Sequence, residues 1–523
     1  VTHIDLTTQD TEPSIADQVP HTRVEGKSKN IQIQWLRALA ATMVVLFHAT
    51  VYQSGSKFSV FDPRFGVFGV ALFFAISGYL MAVAIARQDA FVFLAHRVLR
   101  IYPLFLGVCF LYYAVAWLLK MPVPIDRSAL SLFPVDSANY PLTVEWTLIF
   151  EISFYMALFV IGAIGLGRYI VWIAAAWLAY LAIASWHTTD SVFLITTILR
   201  VAQDAPFAGG LLIPFLARLR LPPFWLIGIG LLLFLPLCGF IPATDSDIIR
   251  WLAALSAVMV LTGVITLSQS RPNFGDNMLG RAFARVGDYS YALYLCHAPV
   301  LRFMAHITGY DVNLLWGASI AVAVILSIVL GEADIRLYAY SKKALATANP
   351  ALRNALVLAF AGSFFFVSGF VVYAWYTAQS LKPFAASQAA AIAAFGPITT
   401  PAEAAAAALR AGLVKSDHLV ALVEKTGWAA DYLQVQGWAL DRGKHHLPVA
   451  LAYFQGGVLL GSDVASINRP DVNKVYRTRM MTSFDFKAKT PCYAREPVVV
   501  LAFAADKTFT VVENTQPPLA CAP

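Results

Sequence analysis

Charge is what this 523-residue sequence has least of: 13% of it is Asp, Glu, Lys or Arg, against 59% hydrophobic residues and a mean hydropathy of +0.65. Soluble globular chains carry about 25% charged residues, so an ordinary soluble protein is excluded and a chain that crosses a membrane many times is implied. The net charge of +7 and pI near 9.0 do not argue for nucleic acid, because basic membrane proteins keep their Lys and Arg in cytoplasmic loops. Cysteine is scarce as well. Three of the five, Cys109, Cys238 and Cys296, fall in apolar runs and read as inert packing residues. Residues 1–30 lack an apolar core with a small-residue cleavage site, so they are not a secretory signal. They are expected to form a disordered cytoplasmic tail.

Long apolar runs are plentiful. Crossing about 30 Å of hydrocarbon takes around 20 residues, and such runs occur at 32–52, 66–86, 101–119, 143–164, 168–186, 192–217, 222–242, 248–268, 286–307, 313–333 and 355–377. The sixth is interrupted by "RVAQDAPFAGG", with Arg200 and Asp204, and reads as a broken or re-entrant helix, which is tolerated only where it lines protein or water. Placing the N-terminus inside puts Arg87, Arg97, Arg100, Arg218, Arg220, Arg271, Arg281, Arg285, Arg336, Lys342, Lys343 and Arg353 in cytoplasmic loops. The opposite loops, "PATDSD" and "TGYDVN", hold no Lys or Arg, as the positive-inside rule requires. The expected fold is therefore mainly α: a polytopic transmembrane helix bundle of about eleven spans, N-terminus inside and C-terminus outside. Its membrane domain covers 31–345, with an additional helix at 355–377.

Beyond that the texture changes. Residues 381–425, rich in Ala, Pro, Ser and Thr, read as a linker with a short helix. From 430 to 515, short alternating runs such as "YLQVQGWALD" and "EPVVVLAFAADKTFTVVE", punctuated by Gly, Asp and Pro, are strand and hairpin signals. They imply a small extracytoplasmic all-β domain of sandwich type, where Cys492 and Cys521 are candidates for a disulfide.

Ionisable side chains inside apolar spans are costly and are functional candidates by default. Arg37 and His48 lie eleven positions apart in "WLRALAATMVVLFHAT". That spacing is about three helical turns, so both project from one face, about 16 Å apart. Taken singly, Arg37 could snorkel to the interface and His48 could be satisfied by a neighbouring helix; the shared stripe argues against two accidents. Arg97 and Arg100, three apart in "AHRVLRIYPLF", suit phosphate binding or serve as plain topogenic charge. "EWTLIFEISFYMALF" brings Glu145 and Glu151 to the fourth span, and a carboxylate at the depth of Glu151 needs a partner such as His48 or an arginine. "VGDYSYALYLCHAPV" adds Asp288, Ser290, Tyr291, Tyr294 and His297. Gly66, Gly69, Ser77 and Gly78 in "FGVFGVALFFAISGYLMA" permit close helix packing.

Arg37, ten intervening residues and His48 resemble the hallmark of acyltransferase family 3, integral-membrane O-acyltransferases. "GVALFFAISGYLM" is similar to that family's second-span motif, "RVLRIYP" to its Arg-x-x-Arg-x-Tyr-Pro element, and "WTLIFEISFY" to its Trp-Ser/Thr-Leu…Glu…Phe-Tyr element. "GDYSYALYLCHAPV" resembles its Ser-Tyr…Tyr-Leu-x-His segment, and "VLGEADIRLYAY" sits where a glutamate usually ends the tenth span. The motifs occur in family order over residues 31 to about 345. Ala71, and Gln34 or Trp35, stand where many members carry acidic residues. No Gly-Asp-Ser nucleophile of an appended hydrolase domain is present, since "GSDVAS" is not one, so the C-terminal domain is not expected to be a second catalytic unit. "GWALD" resembles a small β-sandwich found beside enzymes acting on bacterial surface sugars.

The resemblance implies acyl-CoA, chiefly acetyl-CoA, as donor substrate, and a carbohydrate hydroxyl of an exopolysaccharide, O-antigen-like or lipid-linked glycan as acceptor. It implies a bacterial inner-membrane location, with no permanently bound cofactor and no metal. Arg37, Arg97 and Arg100 would hold the phosphate or pantetheine end. His48, its ring oriented by Glu151, would act as general base or as transient acyl carrier. Tyr102, Trp146, Ser290, Tyr291, Tyr294 and His297 are the further substrate-binding candidates. Two alternatives stay open: a transporter or flippase of an acyl or glycan carrier, although no convincing inverted repeat is visible, and an inactive acyltransferase-like scaffold whose outer domain binds glycan or a partner.

Overall fold

The computed structural model describes residues 30–512 except 59, 62, 122, 124, 126–127, 136–139, 186–193, 235–245, 308–309, 430–431, 444–447, 469–471, 473–474, 477–480 and 490–496. The expected N-terminal tail, Cys238 and the Cys492–Cys521 pair lie outside the described residues. Two compact units form. One takes in residues up to 121, 142–190 and 197–361; the other takes in 122–141, 191–196 and the chain from 362 onward.

The first unit is helical. It contains α1 (Ile31–Tyr52), α2 (Pro63–Ile85), α3 (Ala90–Leu118), α4 (Trp146–Ala163) and α5 (Ile170–Ala184). A four-residue α6 (Ile195–Ile198) and a 3-10 turn at Ala202–Asp204 lead into α7 (Ala205–Leu216). Then come α8 (Pro223–Phe234), α9 (Ser246–Ser270), α10 (Met278–Asp288), α11 (Ser290–Ala305) and α12 (Val312–Thr347), and α13 (Pro350–Ser380) leaves the unit at residue 361. Among the described residues eight helices are long and apolar enough to cross a membrane, where eleven apolar runs were expected. The run at 192–217 is indeed broken, by the turn ending at the buried Asp204. The run at 286–307 also divides, because α10 and α11 meet at Tyr289, which leaves α11 only 16 residues.

The second unit differs from a linker followed by a β domain at 430. Lys382–Ala393 (α14) and Pro401–Arg410 (α15) are packed helices, and strands begin at Val414. Ala385, Ala389, Ile392, Ala404, Ala407 and Ala408 share an apolar core with Ala450, Ala452, Leu501 and Phe503 of the sheet. Alanine side chains carry little hydrophobic contrast, which is why this stretch reads as a linker, yet they let a helix lie close on a sheet. The strands are β1 (Val414–Lys415), β2 (Leu419–Ala429), β3 (Tyr432–Asp441), β4 (Ala450–Gln455), β5 (Val458–Val464), β6 (Ile467–Asn468), β7 (Met481–Lys489), β8 (Val499–Phe503) and β9 (Thr508–Val512). They make a five-stranded sheet, β1-β9-β8-β4-β5, and a four-stranded sheet, β2-β3-β7-β6. Their facing sides share the core around Val435, Tyr453, Phe484 and Val500.

In the helical unit α1 sits at the centre. Ile33, Leu36, Ala40 and Met43 pack with α2 and α9, while Ala41 and Val45 pack with Leu293, Val300 and Ala323 of α11 and α12. Asn30 caps its first turn by accepting from the backbone N–H groups of Gln32 and Ile33. Ala71 is packed into this apolar core. Helices α2 and α7 cross backbone to backbone: a Cβ on Gly78 would lie 2.2 Å from the Phe207 carbonyl oxygen, and one on Gly210 would lie 2.3 Å from that of Ala75. Only glycine fits there, as close helix crossing in a membrane requires. A Gly210→Ala substitution is expected to cost at least the ~1–3 kcal/mol typical of overpacking, since a backbone carbonyl cannot step aside. Gly107→Ala, which meets nothing within 4 Å, is the matched control. Thermal denaturation of the detergent-purified protein checks this, and equal melting temperatures would overturn it.

Candidate functional site

Helix α1 presents its two ionisable groups to different surroundings. Arg37 is half-buried and donates from Nη1 to the Gln34 side-chain oxygen at 3.3 Å, one turn earlier on the same helix. That amide offers an oxygen but no charge, and Arg37 forms no ion pair with a described residue. His48 lies eleven residues on, its Nδ1 2.9 Å from the Val44 carbonyl oxygen.

Arg37 lines a cavity of about 170 Å³ that is partly open to solvent. Each neighbouring helix contributes a stripe. From α2 come Phe73, Phe74 and Ser77; from α3, Arg97 and Arg100; from α4, Thr147, Glu151 and Tyr155; from α11, Tyr291 and Tyr294. The α4 residues are four apart and so lie on one face. The walls are largely aromatic and aliphatic, with the polar groups few and convergent, as in small-molecule sites.

The three arginines are not equivalent. Arg100 forms an ion pair with the buried Asp334 of α12, and its guanidinium lies 5.1 Å from the Tyr291 ring centroid and 5.5 Å from that of Tyr338. Its charge is therefore already matched and held in place. Arg97 forms no hydrogen bond or ion pair with another described residue, and its buried Nε is unpartnered. Arg37 and Arg97 are thus the cations with capacity left for an anionic ligand. Glu332, at the position suggested by the family's late glutamate, instead binds Arg336 at 3.0 Å and accepts from the Tyr289 hydroxyl at 3.3 Å.

Glu151 does not serve His48. Its carboxylate accepts from the Tyr155 hydroxyl and from Ser77 Oγ at 3.1 Å. The expected carboxylate–imidazole pair is replaced by an imidazole–imidazole pair: His297 Nε2 lies 3.4 Å from His48 Nδ1, with the ring centroids 5.0 Å apart. The tautomers follow from the helix backbone. His297 Nδ1 is 3.1 Å from the Leu293 carbonyl, just as His48 Nδ1 faces that of Val44. A carbonyl only accepts, so both Nδ1 atoms carry hydrogen and both Nε2 atoms carry a lone pair. The Nε2 of His297 is then the second acceptor for the His48 Nδ1–H. The Nε2 of His48 is left with no hydrogen bond to a described residue.

Of the candidates read from sequence, the cavity gathers Arg37, Arg97, Arg100, Glu151, Tyr291 and Tyr294. His48, His297, Tyr102, Trp146 and Ser290 are not among its lining. His297 is fully buried. The Tyr102 ring packs 5.7 Å from Phe360, the Trp146 ring 5.8 Å from Phe150, and the buried Ser290 Oγ has no hydrogen-bond partner among the described residues. Sequence reasoning gives no role in the site to Ser77, Thr147, Tyr155 or Asp334, although Thr147 and Tyr155 stand in the "WTLIFEISFY" element. The first was read as a packing residue. Thr147 and Tyr155 carry a signal in their four-residue spacing from Glu151, and Asp334 in being a carboxylate within an apolar helix. Among the described residues no group of three His, Cys, Asp or Glu side chains is placed to hold a metal ion.

Residues 30–332 match the family model described as an acyltransferase domain, Acyl_transf_3. A protein of Komagataeibacter xylinus named as a candidate membrane-bound transacylase, BcsY, is 27% identical to this chain in a 347-position alignment that covers 58% of this chain and 80% of that protein. No solved structure matches.

Asp334 lies just beyond the matched region, yet it fixes one of the cavity's arginines. Replacing one partner of a fully buried pair costs about 3–5 kcal/mol by leaving the other charge unpaired. Arg100 keeps some contact with solvent, so Asp334→Ala is expected to lose less, about 2 kcal/mol, while Glu332→Ala on the more exposed pair loses under ~1 kcal/mol. Denaturation midpoints of the two variants in one detergent check this, and an equal loss in both would refute it.

Proposed function

The chain belongs to acyltransferase family 3, and on that premise we propose that it moves an acyl group, acetyl in the first instance, from cytoplasmic acyl-CoA to a hydroxyl of a cell-surface polysaccharide or glycolipid. That it is a membrane acyltransferase follows from the family and from its apolar helices; donor, acceptor and residue roles are our reading. In this reading the enzyme sits in the bacterial inner membrane with the β unit outside the cytoplasm. The transacylase name of the Komagataeibacter relative supports movement of an acyl group between two carriers. The observation that carries the proposal is the pair of cations that form no ion pair with a described residue, Arg37 and Arg97, in one cavity, with Arg37 on the same helix as His48.

Phosphate oxygens suit guanidinium groups, which offer paired N–H donors in a plane. Arg37 and Arg97 hold the donor's phosphates, and the aromatic walls take its uncharged arm. His48 acts through Nε2. As the acceptor oxygen bonds to the thioester carbonyl carbon, its proton passes to that lone pair; when the C–S bond breaks, the electron pair leaves with sulfur and the thiolate takes up a proton. If the acyl group is carried on His48 first, the same nitrogen is the nucleophile, and the acceptor hydroxyl then displaces it. Glu151 holds Ser77 and Tyr155 in the cavity wall and takes no proton in this scheme.

His48→Ala is expected to lower transfer at least ~100-fold, the lower end for a positioned base, with unchanged melting temperature. Arg97→Ala is expected to raise the KM for acyl-CoA about tenfold or more, since a charge-assisted bond is worth roughly 1.5–3 kcal/mol. Release of CoA by the purified protein with and without an acceptor oligosaccharide measures both. Normal transfer by His48→Ala, or an unchanged donor KM in Arg97→Ala, would sink the assignment.

A further inference from the structure

Tyr294 belongs both to the cavity wall and to the surroundings of the histidine pair. This residue lines the cavity, whereas His48 and His297 do not, and its ring stands 5.8 Å from that of His297 and 5.9 Å from that of Phe73. Its hydroxyl is fastened on the other side: 2.6 Å from Thr147 Oγ1 and 3.1 Å from the Val144 carbonyl oxygen. Thr147 Oγ1 is itself 3.1 Å from the same carbonyl. Two hydroxyl protons thus serve three contacts around one carbonyl, two of them hydrogen bonds at any moment with no donor to spare, and both side chains are buried. The turn that supplies the carbonyl is held in a costly shape. Thr143 has φ +65°, the left-handed region that residues other than glycine avoid. Glu145, fully buried, accepts from the Leu142 backbone N–H and ties the turn to the start of α4.

We propose that Tyr294 and Thr147 form a hydrogen-bonded partition between the donor cavity and the His48–His297 pair, and that this partition must open before the acyl group reaches His48. The proposal rests on the acyltransferase reading of the site. Thr147, the Ser/Thr position of the "WTLIFEISFY" element, is then a positioning residue. Its hydroxyl keeps the thioester away from the imidazole, and so from hydrolysis, until an acceptor is present. Hydrolysis here is attack of water on the same carbonyl carbon, releasing the acid and CoA thiol.

Thr147→Val keeps the shape and removes the hydroxyl; Tyr294→Phe removes the other. Each opens the partition by losing about one hydrogen bond, so CoA release from acetyl-CoA without acceptor is expected to rise about fivefold, with transfer to acceptor changed less. A second measurement does not depend on chemistry. In full-length protein with His48→Cys and the native cysteines replaced by serine, labelling by N-ethylmaleimide is expected to speed up by a similar factor when Thr147→Val is added. Unchanged hydrolysis and labelling overturn the partition. An equal fall in hydrolysis and transfer with a lowered melting temperature also overturns it, because the triangle would then only hold the core together. Labelling that responds to Thr147→Val in a protein that never releases CoA would leave the partition standing and refute the acyltransferase reading.

Discussion

A single rigid helix fixes the distance between a cation and an imidazole, and most of the site is arranged around that constraint. Both groups sit on α1, so no tilt or rotation of that helix, packed on opposite sides by α2 and α9 and by α11 and α12, can bring Arg37 nearer to His48. The about 16 Å between them has to be bridged by something else: an open cavity at the Arg37 end, the ring of Tyr294 in the middle, and a second imidazole beside His48. The glycine crossing of α2 and α7 serves the same geometry, since it lets α2 lie close enough to line the cavity with Ser77 while staying packed on α1.

The helical class, the division into a membrane bundle and a β unit, and six of the cavity-lining residues were legible in the sequence. Hydropathy reports helices that face lipid or core, and ionisable residues in such helices stand out. Partnership was not legible. Glu151 and His48 look like natural partners on a linear map, but tyrosine and serine hydroxyls satisfy the carboxylate and His297 faces the imidazole. Two residues from different helices meet only when the packing angle is known. Tyr155 and Thr147 share a stripe with Glu151, and that stripe was available to inspection; nothing in their chemistry marks a threonine as more than a helix-packing residue until Tyr294 is seen beside it.

Composition misled at the start of the β unit. Helices α14 and α15 bury alanines against the five-stranded sheet, and alanine contributes so little contrast that the amphipathic pattern fades. The break at Tyr289 was hidden for a different reason. Gly287, Asp288 and Ser290 beside it are poor helix formers, but the end of α10 runs directly into the apolar α11, so a scan for apolar length carries one span across the break.

The ion pair between Arg100 and Asp334 bears on turnover under the proposed reading. The phosphates on the CoA that enters with the acyl group are still there on the CoA that leaves, so every cation added to the cavity holds product as firmly as substrate and slows its departure. By neutralising one of three arginines from behind, α12 caps the pull on the leaving cofactor while the guanidinium still shapes the wall between Tyr291 and Tyr338. A carboxylate that never touches the reacting atoms would thereby help to set how quickly the site empties.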